Sequence, residues 1–153
     1  MRSVPRLLRK LAGLRPREWV ELLQAQLALL GAQVLVWSRP TGRLVANAAA
    51  PPVPAGAALP ALDPRAPRLA LAVSRAGDYG VFRPLCLVRA VALNRMLERR
   101  RIRGSRIRIG VRMRNGKFLA HAWVEYGGRV IGDSEEHVGA FAELADVHLV
   151  DAE

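Results

Sequence analysis

The chain has 153 residues, enough for one modest domain whose folding buries about two-thirds of the surface that the unfolded chain exposes. Its single cysteine, Cys86, excludes an internal disulfide framework and favours a reduced thiol in a cytoplasmic protein. The net charge of +11 is uneven, because residues 1–117 hold 23 of the 24 Lys and Arg residues and residues 118–153 hold eight of the 13 acids.

The first 45 residues are predicted to be a helical region. Two helices that separate near residues 13–16 fit the pattern, with Pro16 in the opening turn of the second, where its missing N–H does no harm. Apolar residues recur there at helical spacing and predict a stripe that packs on a core: Trp19, Leu22, Leu23, Leu27 and Leu30. Membrane contact is the less favoured alternative, because the longest apolar run, residues 27–37, is shorter than the roughly 20 residues of a spanning helix.

Residues 46–68 differ in composition from the rest of the chain. Six prolines in this Ala-rich stretch predict a loop or tether, since proline disfavours both helix interiors and central strands. The remaining residues, 69–153, are predicted to form the core of the domain.

The strongest helical segment of that core begins near Cys86. Pro84 suits its first turn and Gly104 suits its end, with arginines near the C-terminus, where the helix dipole favours cations. One face of this helix holds Cys86, Ala90, Leu93 and Leu97. The thiol is therefore predicted to point toward whatever the helix packs on.

An antiparallel β-meander is predicted to follow the helix. Its three strands would cover residues 106–114, 117–126 and 129–133, of which the first alternates apolar residues with Arg and Gly. Asn115-Gly116 is typical of a two-residue hairpin turn, and Gly127-Gly128 turns the chain a second time. The expected fold class is α+β, with N-terminal helices and a Cys-bearing helix packed on the meander.

The hairpin register predicts the surroundings of His121. A two-residue turn at Asn115-Gly116 places Gly110 opposite His121, and a glycine there would leave open space beside the imidazole. If the Cys86 helix lies across the face of the sheet that carries His121, sulfur and imidazole meet. A thiol is a strong nucleophile only when deprotonated, and both a helix start and a neighbouring imidazolium favour the thiolate.

Asp133 is the candidate for a third polar group, which would hold the imidazole by its other nitrogen and fix its tautomer. A strict two-residue turn at Gly127-Gly128 would pair Asp133 with Ala122 and point its side chain to the wrong face. We therefore expect a bulge or a three-residue turn, which would restore Asp133 to the histidine face. Each residue alone has a common structural explanation, and only their joint placement points to catalysis.

The ordered motifs of residues 80–133 resemble a known enzyme family. They are Cys86-Leu87-Val88-Arg89-Ala90 with Leu93, the strand at residues 107–111, Ala120-His121-Ala122-Trp123-Val124-Glu125, and Gly132-Asp133. Together they resemble the transglutaminase-like, papain-like leader peptidases of lasso-peptide biosynthesis. The short chain resembles the split form of that enzyme, in which a separate protein recognises the precursor.

The resemblance implies a cysteine peptidase without a cofactor or metal. It would remove the leader from a ribosomally made precursor peptide, commonly after a penultimate Thr, before an ATP-dependent cyclase closes the macrolactam. Cys86 would attack the scissile carbonyl, His121 would serve as base and then acid, and Asp133 would orient His121. A non-catalytic scaffold that binds the leader or the cyclase, and a transglutaminase-fold amidase with another substrate, stay open as alternatives.

The substrate-binding residues are less well defined. Gly110 and Trp123 are candidates beside His121. Papain-like enzymes place a Gln shortly before the cysteine, and this chain has none between Val53 and Cys86, so Tyr79 and Arg83 are the candidates for a second oxyanion donor beside the helix-start amide.

The arginine-rich stretch at residues 95–114 allows two further hypotheses. It holds nine arginines in twenty residues, but the aromatic residues that stack on bases are absent from it, so a nucleic-acid binder is disfavoured. The basic surface, including Arg108 and Arg112, is expected instead to help bind a peptide or a recognition partner that carries acids.

Overall fold

The computed structural model describes residues 15–39 and 62–144. In chain order the elements are α1 (Pro16–Ser38), α2 (Arg65–Tyr79), α3 (Cys86–Arg99), β1 (Ser105–Arg114), β2 (Lys117–Tyr126), β3 (Arg129–Ile131), α4 (Glu135–Gly139) and β4 (Ala142–Glu143). The predicted α+β class, with helices packed on an antiparallel meander, is confirmed. The predicted helix before residue 13 and most of the predicted tether lie outside the described residues.

Helix α1 begins at Pro16, as predicted, and packs on α2 and α3. The predicted core-facing stripe was wrong, because four of its five residues are 42–62% exposed and only Leu22 packs against the core. Ala25, Leu29 and Ala32 on the inner side of α1 are fully buried, and the small side chains of the two alanines let the three helices approach closely. Contrary to the sequence-based expectation, α1 is long and apolar enough to cross a membrane by length and composition, and no other helix in the described ranges is. A core helix of a soluble protein meets the same criterion.

Helix α2 begins at Arg65, inside the stretch predicted to be a loop, and it runs to Tyr79. Proline is tolerated in the first turn of a helix, where the backbone N–H has no intrahelical partner, so Pro67 does not prevent helix formation. The Asp63 carboxylate accepts a hydrogen bond from the Arg65 backbone N–H at 2.9 Å and thereby satisfies one of those free donors. The prediction that helix could not start before residue 69 was wrong for this reason.

Helix α3 begins at Cys86 itself, so Pro84 precedes the helix rather than occupying its first turn. It ends at Arg99, where Arg101 and then Gly104 adopt the left-handed conformation with φ of 59° and 91°. Its inner face is buried in the main core cluster, and the partly buried Cys86 packs against that cluster, as predicted.

The sheet has the strand order β3-β2-β1-β4. Asn115 and Gly116 form the two-residue turn with φ of 52° and 73°, and the predicted pairing of Gly110 with His121 is confirmed. Strand β3 is only three residues long and pairs with residues 124–126 of β2, so the edge of β2 beyond them has no neighbouring strand among the described residues. Helix α4 and strand β4 were not predicted.

The helices cover the face of the sheet opposite to the predicted one. Ile107, Ala122, Val124 and Ile131 belong to the core cluster that the helices bury. His121 and Trp123 alternate with Ala122 and Val124, so their side chains emerge on the other face. The condition that α3 lies across the histidine face is therefore not met, because Ala122 and Val124 on the opposite face are the residues that pack against the helices.

The space beside Gly110 is filled rather than open. A Cβ atom on Gly110 would lie 2.9 Å from the Phe141 Cβ and 2.9 Å from the Trp123 ring. Phe141 reaches this position because β4 pairs with β1 at Gly110 and Val111. Gly110 thus permits two aromatic side chains to pack on the sheet beside His121, which corrects its predicted role in leaving room for a substrate.

Candidate active site

A cavity of about 270 Å³ opens where the start of α3 meets the free edge of β2. Its lining includes all three residues predicted to be catalytic, Cys86, His121 and Asp133. Residues from α2, α3 and the sheet complete it: Ala70, Val73, Ser74, Arg89, Ala90, Leu93, Ala122, Trp123, Val124, Ile131 and Gly132. The wall is mainly apolar with a few polar groups, a composition typical of ligand sites.

Cys86 is the first residue of α3, where backbone N–H groups have no partner within the helix. Such amides and the helix dipole stabilise negative charge, so this position suits a thiolate and the oxyanion of a bound acyl group. Arg89 fixes the approach of the chain to this helix. Its side chain donates to the Pro84 carbonyl at 3.3 Å and pairs with Asp78 at 2.9 Å, which ties the loop before Cys86 to the end of α2.

His121 Nε2 lies 2.6 Å from Asp133 Oδ2. The second carboxylate oxygen, Oδ1, accepts the Ser134 backbone N–H at 2.8 Å, so both oxygens of Asp133 are held in place. With Nε2 engaged, Nδ1 is the ring nitrogen left to exchange a proton with a thiol. Within the described part of the chain the Cys86 thiol makes no hydrogen bond, so Cys86 and His121 line one cavity without being hydrogen-bonded to each other.

Asp133 reaches His121 by a route that the strand register did not predict. The turn at Gly127-Gly128 has two residues, because Tyr126 pairs with Arg129. The prediction of a three-residue turn or bulge was therefore wrong. The ladder stops at Ile131, and Gly132 then adopts φ of 82°, a left-handed conformation that turns the chain back toward His121. Asp133 thus leaves the sheet before the pairing can orient its side chain.

Aromatic rings surround the imidazole on the sheet face. The ring centroids of Trp123, Phe141 and His137 lie 6.1, 5.1 and 4.9 Å from that of His121. Trp123 is 2% exposed, and its indole Nε1 has no hydrogen-bond partner in the described ranges. These rings limit the rotamers of His121 and keep water from one side of the His121–Asp133 pair.

A family model described as the transglutaminase-like superfamily matches residues 26–146. The chain belongs to this superfamily. The match supports a papain-like fold for the transglutaminase-like domain and an activity of the cysteine protease or transferase class. Comparisons with curated proteins and with solved structures gave no match.

The predicted substrate-binding residues differ in whether they line the cavity of this transglutaminase-like domain. Trp123 lines the cavity, whereas Gly110 does not. Tyr79, 46% exposed at the end of α2, and Arg83, exposed in the following loop, are not among the lining residues.

Three residues near the site were not predicted: Ser74, Arg89 and His137. Ser74 was missed because α2 was not recognised as a continuous helix. A signal for His137 does exist in the sequence, since Ser134 followed by two acids is typical of a helix start. Ser134 Oγ accepts the His137 backbone N–H at 3.1 Å, which caps α4 and positions His137 against His121.

Two arginines of β1, Arg108 and Arg112, make contacts within the domain. Arg108 lies 3.1 Å from Glu125 and 3.9 Å from Glu143, and the Arg112 guanidinium lies 4.5 Å above the Phe141 ring. These contacts occupy two of the basic side chains that the hypothesis of a peptide- or partner-binding surface includes. Their role in the transglutaminase-like domain is to brace β4 and Phe141 against the sheet.

His121, Asp133 and His137 also form the group best suited to hold a metal ion, with ligand atoms within 4.8 Å of one another. Two ligands of one tetrahedral Zn²⁺ lie roughly 3.3 Å apart, given metal–ligand bonds of about 2.0 Å. The His121–Asp133 distance of 2.6 Å is that of a hydrogen bond instead. The pair must therefore separate before a metal can bind between them.

Proposed function

We propose that this chain is a cysteine peptidase that removes the leader segment from a ribosomally made lasso precursor peptide. The observation that carries the proposal is a single cavity lined by a helix-start cysteine and by a histidine hydrogen-bonded to an aspartate at 2.6 Å. A nucleophile, a base and an orienting group are the three parts that acyl transfer through a cysteine requires.

In this mechanism His121 Nδ1 takes the proton from Cys86, and the sulfur attacks the carbonyl carbon of the scissile peptide bond. The negative charge on the carbonyl oxygen is stabilised by the free amides at the start of α3. The tetrahedral intermediate collapses as His121 gives the proton to the leaving amine, which departs as the new N-terminus of the core peptide. Water, deprotonated by His121, then hydrolyses the thioester and frees the leader. Asp133 holds His121 in one tautomer throughout.

The choice of a leader peptide as substrate rests on the sequence motifs of residues 80–133, which resemble the lasso leader peptidases. The proposed partners follow from the same resemblance: the precursor, a separate leader-recognition protein and an ATP-dependent cyclase, all in the cytoplasm. Two alternatives make different demands on the site. A scaffold needs no reactive thiol, and an amidase or transferase of the same fold would act on another substrate.

Alkylation tests the site independently of any substrate. Because the chain has one cysteine, iodoacetamide adds a single adduct whose position is certain, and its rate is read by intact-protein mass spectrometry. We expect rapid alkylation that slows at least tenfold in His121→Ala. Equal rates in both proteins, matching that of a free thiol, would count against an activated Cys86.

Mass spectrometry of precursor peptides tests the substrate. A set of lasso precursors with Thr at the penultimate leader position is incubated with the intact chain, with and without a leader-recognition protein. We expect the leader and core fragments with the intact protein and none with Cys86→Ala. Leader removal that survives Cys86→Ala would exclude Cys86 as the nucleophile. Slow alkylation without cleavage of any precursor would favour the scaffold, whereas rapid alkylation without cleavage would favour an amidase or transferase.

A further inference from the structure

Helix α1 carries a second apolar stripe on the side that faces away from the core. We call it the α1 seam; its members are Val20, Leu23, Leu27, Leu30, Val34 and Trp37. Their exposed fractions range from 42% at Leu30 to 79% at Trp37. The inner side of the same helix is occupied by fully buried Ala25, Leu29 and Ala32. Helix α1 is therefore apolar on two opposite sides, whereas a surface helix normally has a polar outer side.

The spacing of the α1 seam is that of a coiled coil. Its six members follow one another at intervals of three, four, three, four and three residues, which is a heptad repeat with every a and d position apolar. Val20 and Val34 occupy a positions, while Leu23 and Leu30 occupy d positions, the arrangement that favours two-stranded pairing. A stripe confined to a and d is narrower than one that packs on a globular core.

The α1 seam is large enough for a stable contact. The exposed fractions of its six side chains correspond to roughly 700 Å², above the typical largest apolar patch of a monomer and close to the ~800 Å² that each partner buries in a standard interface. The cavity is lined by residues of α2, α3 and the sheet, so a contact through α1 leaves it open.

Between Arg17 and Arg39, the outward-facing residues that flank the α1 seam are uncharged. The residues at the flanking e and g positions are all uncharged: Trp19, Gln24, Gln26, Gly31, Gln33 and Ser38. Flanking charges select a different partner in heterologous coiled coils, and basic flanks anchor an interfacial helix to anionic lipid. Neutral flanks provide neither signal and let the α1 seam meet its own copy without opposing like charges.

We propose that the α1 seam pairs with the same seam of a second copy, making the protein a homodimer through α1. This inference does not depend on the proposed peptidase activity. Each copy carries a net charge of +11, so the two bodies repel each other at long range. Added salt screens that repulsion, and the dimer is therefore strengthened by salt, whereas binding to an anionic lipid surface would be weakened.

Analytical ultracentrifugation of the full chain across the micromolar range tests the proposal. We expect a species of twice the 16.8 kDa chain mass, more populated in high than in low NaCl. Leu27→Glu, at a position already 60% exposed, is expected to give a monomer with an unchanged circular dichroism spectrum. Leu71→Glu is the matched control: it makes the same change at a leucine of α2 that is 50% exposed and lies off the α1 seam, and it should remain dimeric.

Val34→Lys provides a second seam variant in case Leu27→Glu does not fold. A wild-type chain that stays monomeric at all concentrations overturns the proposal, as does a dimer that persists in both seam variants. Sedimentation with vesicles of phosphatidylcholine and phosphatidylglycerol is run in parallel. A monomer that binds these vesicles and loses binding in Leu27→Glu also overturns the proposal, in favour of a lipid-facing α1.

Discussion

Asp133 Oδ2 lies 2.6 Å from His121 Nε2 even though the two residues are not partners in the sheet. The pairing of β2 with β3 ends at Val124 and Ile131, and the left-handed Gly132 then turns the chain. The hydrogen bond therefore depends on one backbone conformation rather than on strand register.

Removing the Asp133 carboxylate is expected to lower kcat by about 10²- to 10⁴-fold, because the imidazole loses the group that fixes its tautomer. The comparison is between Asp133→Ala and Asp133→Asn, measured by cleavage of a precursor peptide. The amide oxygen of Asn can still accept the Nε2 proton, so Asp133→Asn should retain more activity than Asp133→Ala. Wild-type rates in both variants would remove Asp133 from the mechanism.

Gly132→Ala is expected to destabilise the fold and to weaken the site together. A side chain in the left-handed region costs about 1–2 kcal/mol. The new Cβ would also lie 3.2 Å from a methyl group of Leu93, which must shift. Chemical denaturation measures the first effect and the alkylation rate of Cys86 the second. Gly116→Ala, also at positive φ but in open space at the hairpin, is the control that should lose stability without slowing alkylation.

Gly110→Ala is expected to cost about 1–3 kcal/mol of folding free energy, because the added methyl group overpacks the contact of Trp123 with Phe141. The displaced rings should disturb His121 and change the tryptophan fluorescence. Equilibrium denaturation gives the free energy of unfolding. A variant as stable as the wild type, with unchanged fluorescence, would contradict the packing described for these two rings.

Zinc is expected to inhibit the proposed peptidase activity reversibly, because His121, Asp133 and His137 offer three ligand atoms once the His121–Asp133 hydrogen bond opens. Chelation by EDTA should restore activity, and Mg²⁺, which prefers oxygen ligands, should not inhibit. His137→Gln removes an exposed ligand and should raise the inhibitory zinc concentration at least tenfold. Equal inhibition of His137→Gln and wild type would place the metal elsewhere, for example on the Cys86 thiolate.

Asp63 is expected to contribute a pH-dependent part of the stability. Hydrogen bonds from the Arg65 side chain and backbone lower the pKa of Asp63 from 3.8 to about 2. Since the folded-state pKa is depressed, this contribution is fully present above pH 3.8 and is lost as pH falls toward about 2. Thermal unfolding of Asp63→Asn should therefore give a lower Tm than the wild type above pH 3.8. The gap should close near pH 2, and a gap independent of pH would contradict the assignment.

The features that sequence predicted well are local. Asn115-Gly116 determines its own turn type, and a two-residue turn determines every pairing of β1 with β2, including Gly110 with His121. The helix start at Cys86 and the alternation of β1 were likewise readable from neighbouring residues. The catalytic candidates could be named from these local features, because Cys86 lies at the predicted helix start and His121 lies on the predicted hairpin.

The features that sequence did not predict depend on distant contacts or on tolerated exceptions. The face of the sheet on which α3 packs was not predictable, because both faces of β2 carry apolar residues. Ala122 and Val124 lie on one face, and Trp123 lies beside His121 on the other. Proline in the first turn of a helix costs little stability, so the proline-rich composition of residues 46–68 did not reveal where α2 begins. Strand β4 has two residues and exists because Gly110 and Val111 lie beside it, which no local pattern reveals.

The residues that follow β3 differ from the rest of the domain in how firmly they are attached. Asp133, His137 and Phe141 lie outside the main core cluster, and Val138 is the buried residue of α4. Segments with few buried apolar contacts open locally at a lower free energy than the global fold. Gentle heating is thus expected to abolish the proposed activity while the helices stay folded. Amide hydrogen exchange should be faster at residues 132–144 than in α3.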